Sequence, residues 1–287
     1  MHASGNDYVF IDERENYYTD YPTLAKKISD RHFGVGSDGL IVLGETSSAD
    51  VRMTMFNADG SRGEICGNAL RCIGKHLYGK YKNLSHDESE KYGNDVTCFS
   101  PDKDNDSAKS PFFRVLTDAG IKEITVDGDG EKFNVKMGTV LFRGEKLPPV
   151  GVFLMPFNGK EFLFNCAFIG NPHAVCIVEN FDFDYEKLAD ELNTSGFFVE
   201  GANVEFVKLT EGGAEMRVIE RGSGETLCCG SGSVSVAAVL CRNELKNFGK
   251  IAISTLGGDI TVDVEKDYSV TLSGDAEFVF EGKYFIE

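Results

Sequence analysis

Cys66-Gly67-Asn68 recurs 163 residues later as Cys229-Gly230-Ser231, and this repeat constrains the chain more than any other feature. Met53-Thr54-Met55-Phe56-Asn57 recurs at the same offset as Met216-Arg217-Val218-Ile219-Glu220. Gly5-Asn6-Asp7-Tyr8-Val9 recurs 165 residues on as Gly170-Asn171-Pro172-His173-Ala174-Val175. Three matches in one order at nearly one offset read as two halves of a single architecture. Each half ends a strand on a polar residue and opens a helix with Cys-Gly. A chain of 287 residues has room for two domains of ordinary size.

Hydrophobic patterning fills in the halves. In the first, 8–11, 40–43, 51–56, 112–116, 121–126 and 133–137 read as strands; in the second, 174–178, 203–209, 214–219, 251–254, 260–264 and 269–272 do so. Helical spacing is confined to four stripes: Leu24, Ile28 and Phe33; Ala69, Ile73, His76 and Leu77; Leu188 and Leu192; Val234, Ala237, Ala238 and Cys241. Many strands with few helices predict an α+β fold with largely antiparallel sheet. Residues 83–110, rich in Asp, Ser, Lys and Asn, suit a solvated insertion. The domains are expected at 1–131 with 276–287, and at 132–275.

The two Cys-Gly turns carry the chemistry. A helix N-terminus presents unpaired N–H groups and the positive end of the helix dipole, which favour a thiolate or a bound carboxylate. A thiol of ordinary pKa ~8.5 titrates between roughly 3.5 and 7.5 at such a place, so it serves as either acid or base near neutrality. Two such thiols on opposite sides of one carbon form a two-base device, in which one removes a proton and the other delivers one to the opposite face. Core burial is the alternative for any cysteine, and it is the reading for Cys72, Cys166, Cys176 and Cys241. Zinc fits poorly: Cys66 and Cys72 are six apart, Cys228 and Cys229 adjacent, and no Cys pair has ligand spacing.

Other chemistries are disfavoured. Gly34-Val35-Gly36-Ser37-Asp38-Gly39 has the letters of a dinucleotide fingerprint, but it follows a helical segment and precedes a strand, the reverse of the required context. No phosphate-cradling P-loop string occurs, and no lysine stands out as a Schiff-base candidate. Acidic residues outnumber basic ones 46 to 29, giving a net charge of −17 that argues against a nucleic-acid partner. No apolar run approaches the roughly 20 residues that cross a bilayer, and no secretory signal is recognised. Eight cysteines in 287 residues are too sparse for a disulfide-stapled scaffold, so reduced thiols and a cytoplasmic location are expected.

At these residues the chain resembles the diaminopimelate epimerase family of cofactor-independent amino-acid epimerases and racemases. The matching strings are Met1-His2 with Gly5-Asn6-Asp7-Tyr8, Arg31-His32-Phe33-Gly34-Val35-Gly36, Phe56-Asn57-Ala58-Asp59-Gly60-Ser61 and Cys66-Gly67-Asn68. They continue with Gly170-Asn171-Pro172-His173-Ala174-Val175, Glu220-Arg221-Gly222-Ser223-Gly224-Glu225-Thr226 and Cys229-Gly230-Ser231-Gly232. The resemblance implies two pseudo-symmetric α+β domains, each an antiparallel barrel-like sheet around a central helix, with the active site between them. It implies inversion of LL-diaminopimelate to the meso isomer, with no cofactor and no metal, by Cys66 and Cys229.

The same resemblance implies that Gly67, Asn68, Gly230 and Ser231 bind the reacting carboxylate through helix-start amides. Asn6, Asn57, Asn171, Asn203, Glu220 and Arg221 would grip the rest of the substrate, and His173 and Glu220 would tune the thiols. A homodimer is expected. The chain departs from the pattern at Gly39, where some members carry a Gln that touches substrate, at Ser231, where Thr is usual, and at Cys228, where a small residue is usual. The nearest rivals are an epimerase of another amino acid and a non-catalytic amino-acid-binding relative.

Overall fold

The computed structural model describes residues 1–15, 17–83, 111–128 and 130–286. The polar stretch expected to be an insertion lies, from residue 84 to 110, outside the described residues. The chain forms two compact units, Met1–Val135 with Gly274–Glu287, and Lys136–Ser273.

In the first unit, β1 (His2–Ala3) pairs antiparallel with β2 (Asn6–Asp12), and α1 (Tyr21–Ser29) leads into β3 (Gly39–Gly44), parallel to β2 with Tyr8 opposite Gly39. Strand β4 (Val51–Asn57) runs antiparallel to β3 and sets Asn57 opposite Gly39, and β5 (Arg62–Gly63) folds back on β4. Helix α2 (Gly67–Asn83) follows. The chain returns as β6 (Phe112–Thr117), parallel to β4, and continues antiparallel through β7 (Gly120–Val126) into β8 (Phe133–Thr139).

The second unit opens with the hairpin β9 (Val152–Phe157) and β10 (Lys160–Ile169), then repeats the same pairings in the same order. Strand β11 (Asn171–Ile177) is antiparallel to β10 and, across α3 (Tyr185–Thr194), parallel to β12 (Asn203–Leu209), with His173 opposite Asn203. Strand β13 (Gly213–Glu220) lies antiparallel to β12, and β14 (Gly224–Thr226) folds back on β13 before α4 (Gly230–Arg242). Strand β15 (Gly249–Thr255) is parallel to β13, and β16 (Gly258–Val264) and β17 (Ser269–Gly274) complete the meander. The expected α+β architecture is present. Each unit is mainly antiparallel with two parallel pairings, at β2–β3 and β4–β6 and at β11–β12 and β13–β15.

Helix α4 shows why the sequence folds this way. Its residues Gly-Ser-Gly-Ser-Val-Ser-Val-Ala-Ala-Val-Leu-Cys are small or apolar on every side, and nearly all are buried. A helix apolar all round belongs inside a structure. It packs on β10, β11, β12, β15 and β16, strands from both halves of the unit's sheet, so the sheet curves around it. The short peripheral helices are amphipathic and capped: Asp20 accepts from Thr23 N before α1, and Asp184 from Lys187 N before α3. Stacked and edge-on rings of Phe153, Phe164, Phe206 and Tyr185 fill the core between α3 and the sheet.

Two glycines are fixed by close approach of backbone. A Cβ at Gly213 would stand 1.8 Å from the Ala252 carbonyl oxygen across the parallel β13–β15 pair, and one at Gly39 would stand 2.3 Å from the Phe56 carbonyl oxygen.

One expected helix is shorter than its stripe. Phe33 is 91% exposed and lies beyond α1, which ends at Ser29. The Asp30 carboxylate accepts from His32 N and Phe33 N at 2.8 Å each, and this local turn wins over another helical turn. Strands β9 and β10 were not expected from the patterning. Among the described residues no helix is long and apolar enough to cross a membrane.

Candidate active site

In the first unit, Cys66 stands directly before α2. Its carbonyl accepts from Leu70 N at 3.0 Å, and its sulfur accepts from Ala69 N at 3.5 Å. In the second unit, Cys229 holds the corresponding place before α4, its carbonyl accepting from Ser233 N at 2.9 Å and its sulfur from Gly232 N at 3.4 Å. Both sulfurs therefore cap a helix start, taking the amide three residues on while the carbonyl takes the one four residues on. The Gly67, Asn68, Gly230 and Ser231 amides fall in first turns, where an α-helix supplies no acceptor of its own.

Around Cys66 the partners come from β2. The Tyr8 hydroxyl donates to Sγ at 3.3 Å, and the Cys66 thiol donates to Asn6 Oδ1 at 3.5 Å. Asn68 Nδ2 also donates to Asn6 Oδ1, at 3.2 Å, and Arg71, fully buried, donates to Asn68 Oδ1 at 2.7 Å. Asn6 is oriented from its other end: its Nδ2 donates to Asp38 Oδ2 at 2.7 Å, and Arg31 braces Asp38 and Asp7 together at 2.9 and 2.7 Å. Burial raises the Asp7 carboxyl, but the Arg31 guanidinium outweighs it and holds the group below the ordinary carboxylate range. Asn57, at the end of β4, donates to Ser61 Oγ at 2.9 Å rather than to this cluster.

Around Cys229 the setting is more enclosed and more acidic. Asn203 Nδ2 donates to Sγ at 3.7 Å, the Ser231 hydroxyl lies 3.4 Å away, and the Glu220 carboxyl shares a hydrogen bond with the thiol. Burial pushes the Cys229 thiol well above its ordinary value, and the charges of Glu220 and Glu205 push it the same way. Burial likewise raises the Glu220 carboxyl, against hydrogen bonds from Thr226 at 2.5 Å and from Cys229. Cys229 therefore keeps its proton at neutral pH. Asn203 Oδ1 accepts the Arg221 backbone N–H at 2.9 Å, while the Arg221 guanidinium donates to the Glu200 carbonyl at 2.6 Å. His173 faces Asn171 Oδ1 through Nε2 at 3.0 Å and Glu205 through Nδ1 at 2.6 Å.

Each unit thus gathers its own share of the sequence-named residues, apart from Asn57. Cys72, Cys166, Cys176 and Cys241 are buried as expected. Tyr8 and Glu205 were not singled out by sequence reasoning. The signal was there, since strand alternation puts Tyr8 on the face of Asn6 and Glu205 on the face of Asn203.

Comparison with known proteins places the chain in a family. The family model described as diaminopimelate epimerase matches residues 1–142 and 166–279. The chain is 36% identical over 300 residues to the diaminopimelate epimerase of Acetivibrio thermocellus, covering 99% of this chain and 96% of the relative. It is 37% identical over 297 residues to that of Methanococcus maripaludis, covering 99% and 97%. Among solved structures, a phenazine biosynthesis protein of the PhzF family from Bacillus anthracis has the same fold, with a TM-score of 0.67 at 17% identity over 100% of this chain and 95% of that one. The cap-for-cap repeat and the full-length matches lead to one conclusion: the chain belongs to the diaminopimelate epimerase family.

Proposed function

We propose that the protein inverts one α-carbon of LL-2,6-diaminopimelate to give the meso isomer, with Cys66 and Cys229 as the paired base and acid. Family membership supports the reaction. One observation carries the residue assignment: both units place a cysteine sulfur on the third amide of a helix, among side-chain amides and hydroxyls.

The chemistry asks for this inventory. An α-proton between an ammonium and a carboxylate is only weakly acidic, so charge developing on the carboxylate must meet preorganised donors. One such donor is typically worth about 3–4 kcal/mol. The first-turn amides of Gly67, Asn68, Gly230 and Ser231 are donors of that kind. Cys229, protonated by its surroundings, is the proton donor in the resting enzyme, and Cys66, capped by two donors, is the acceptor. Turnover exchanges the two states, so each thiol serves both directions. His173 and Glu220 tune Cys229. Asn6, Asn57, Asn171, Asn203, Glu220 and Arg221 grip the rest of the substrate, the guanidinium offering a charged fork for its second carboxylate.

A cytoplasmic location accords with the free thiols of all seven described cysteines. A homodimer accords with the exposed aromatic residues Phe278, Phe280 and Phe285, and sedimentation analysis, which reads the mass in solution, tests it.

The test is incubation of reduced protein with LL-diaminopimelate in D₂O. The meso isomer carrying solvent deuterium at the inverted centre is expected. Folded protein that yields neither exchange nor meso product overturns the proposal.

A further inference from the structure

Tyr8 and His173 occupy the same ladder position in the two units, opposite Gly39 and Asn203 respectively, yet they do different things. His173 turns its ring nitrogens to Glu205 and Asn171. Tyr8, only 6% exposed, spends its hydroxyl on Cys66 Sγ at 3.3 Å.

The contacts at Cys66 Sγ divide by protonation state. Asn6 Oδ1 accepts only from a thiol. Tyr8 O–H and Ala69 N–H are donors, and they bind a thiolate more strongly than a thiol because the acceptor is then charged. A phenol titrates near pH ~10, so it still holds its proton where a helix-start thiol has lost its own. Building on the reading of Cys66 as an acid/base thiol, we propose that Tyr8 is a positioning residue, whose hydroxyl keeps Cys66 aimed and ionised as the resting base. The second unit puts no phenol at this place. It sets Cys229 beside Glu220 and Glu205 instead, so one ladder position separates the base from the acid.

Charged and titratable groups also stand on the elements around Cys66. Cys72 lies further along α2 and is buried; Arg71 on the same helix is turned to Asn68 and Ser4; the Asp7–Arg31–Asp38 cluster stands behind Asn6.

Tyr8→Phe removes the donor and keeps the ring. Iodoacetamide labelling of Cys66, read by peptide mass spectrometry from about pH 5 to 10, reports its ionisation without any turnover. In Tyr8→Phe the labelling midpoint is expected to rise by about one pH unit, slowing labelling by up to roughly tenfold on the acid side of the midpoint. The acid limb of kcat/KM rises with it, while KM on the alkaline plateau holds. Tyr8→His, which restores a ring N–H donor, recovers part of the shift and stands in should the Phe variant fail to fold. An unmoved midpoint in folded Tyr8→Phe, or no recovery in Tyr8→His, overturns the role of Tyr8. Failure of the underlying reading is separately visible, as wild-type protein that shows no α-deuterium exchange whatever the labelling gives.

Discussion

His173 Nδ1 and Glu205 Oε1 stand 2.6 Å apart, and neither side chain has any solvent exposure. Asn171 Oδ1 faces the other ring nitrogen at 3.0 Å, so the imidazole is fixed in orientation by oxygens on both sides. Strand pairing builds this arrangement: His173 on β11 lies opposite Asn203 on β12, and Glu205, two residues on, shares the face of Asn203. Glu205 is also packed against the start of α4, where a Cβ on Gly232 would stand 2.7 Å from its Oε1. The pair therefore ties the ladder to the helix that Cys229 caps.

Removing one member of such a pair strands the other in a dry interior. Glu205→Ala, which leaves a buried ring nitrogen without its partner, is expected to cost about 1–3 kcal/mol in urea denaturation. Glu205→Gln takes away a negative charge that raises the Cys229 thiol, so alkylation of Cys229 at mildly alkaline pH should speed up. Unchanged stability in the first variant and unchanged labelling in the second would leave the pair without either role.

The two thiols act as a unit. Cys66→Ala and Cys229→Ala are each expected to lower kcat/KM by at least ~10²-fold, the lower end of what a positioned acid or base contributes. The double variant should be little worse than either single one. Formation of the meso isomer is the assay, and a single variant that keeps near-normal turnover removes that cysteine from the mechanism.

Alkali should destabilise the fold through its buried thiols. Burial pushes Cys72, Cys166 and Cys176 up to about 12, against an ordinary value of 9.0. Between those limits the unfolded chain has lost these protons and the folded chain has kept them, so stability falls as pH rises. Each thiol's contribution is intact below pH 9.0 and is lost progressively as pH climbs towards 12. The slope is about 1.4 kcal/mol per pH unit per thiol. Cys72→Ala should flatten the pH dependence of urea denaturation by one such slope, and an unchanged slope would contradict the burial argument.

The family resemblance puts Gly39 where some members carry glutamine, and here the neighbouring backbone leaves that position no room for a side chain. A side chain there meets the Phe56 carbonyl oxygen at 2.3 Å, across the β3–β4 pair. Gly39→Gln should therefore cost at least ~1–3 kcal/mol as the strands part, rather than recover a family contact. Thermal unfolding of the variant checks this; a neutral outcome would mean that β3 and β4 separate easily at this point.

Much of the fold was legible in the patterning. Phe133–Met137 alternates inward and outward as its letters do, and the small, apolar run after Cys229 announces a buried helix. The β9–β10 hairpin escaped because Val152–Phe157 is apolar at every position, so its letters carry no alternation, and Pro156 weighs against a strand reading even where the position tolerates it. Phe33 misled because its spacing fits a helical stripe, and spacing is blind to the Asp30 turn that ends α1.

The sequence by itself determined the repeat, the α+β class and the place of Cys66 and Cys229 at helix starts, because strand alternation, helical stripes and Cys-Gly turns are local codes. Only the tertiary structure decided what surrounds each sulfur. Tyr8 reaches Cys66 across 58 residues of chain, and Glu205 reaches His173 across 32. Alternation tells which face of a strand a side chain takes, but not which segment the register will bring against it. That choice rests on the pairing of β2 with β3 and of β11 with β12, and on the helix each pair packs beneath. Through it, two nearly identical Cys-Gly turns acquire different surroundings: a phenol hydroxyl at Cys66, deeper burial and carboxylates at Cys229.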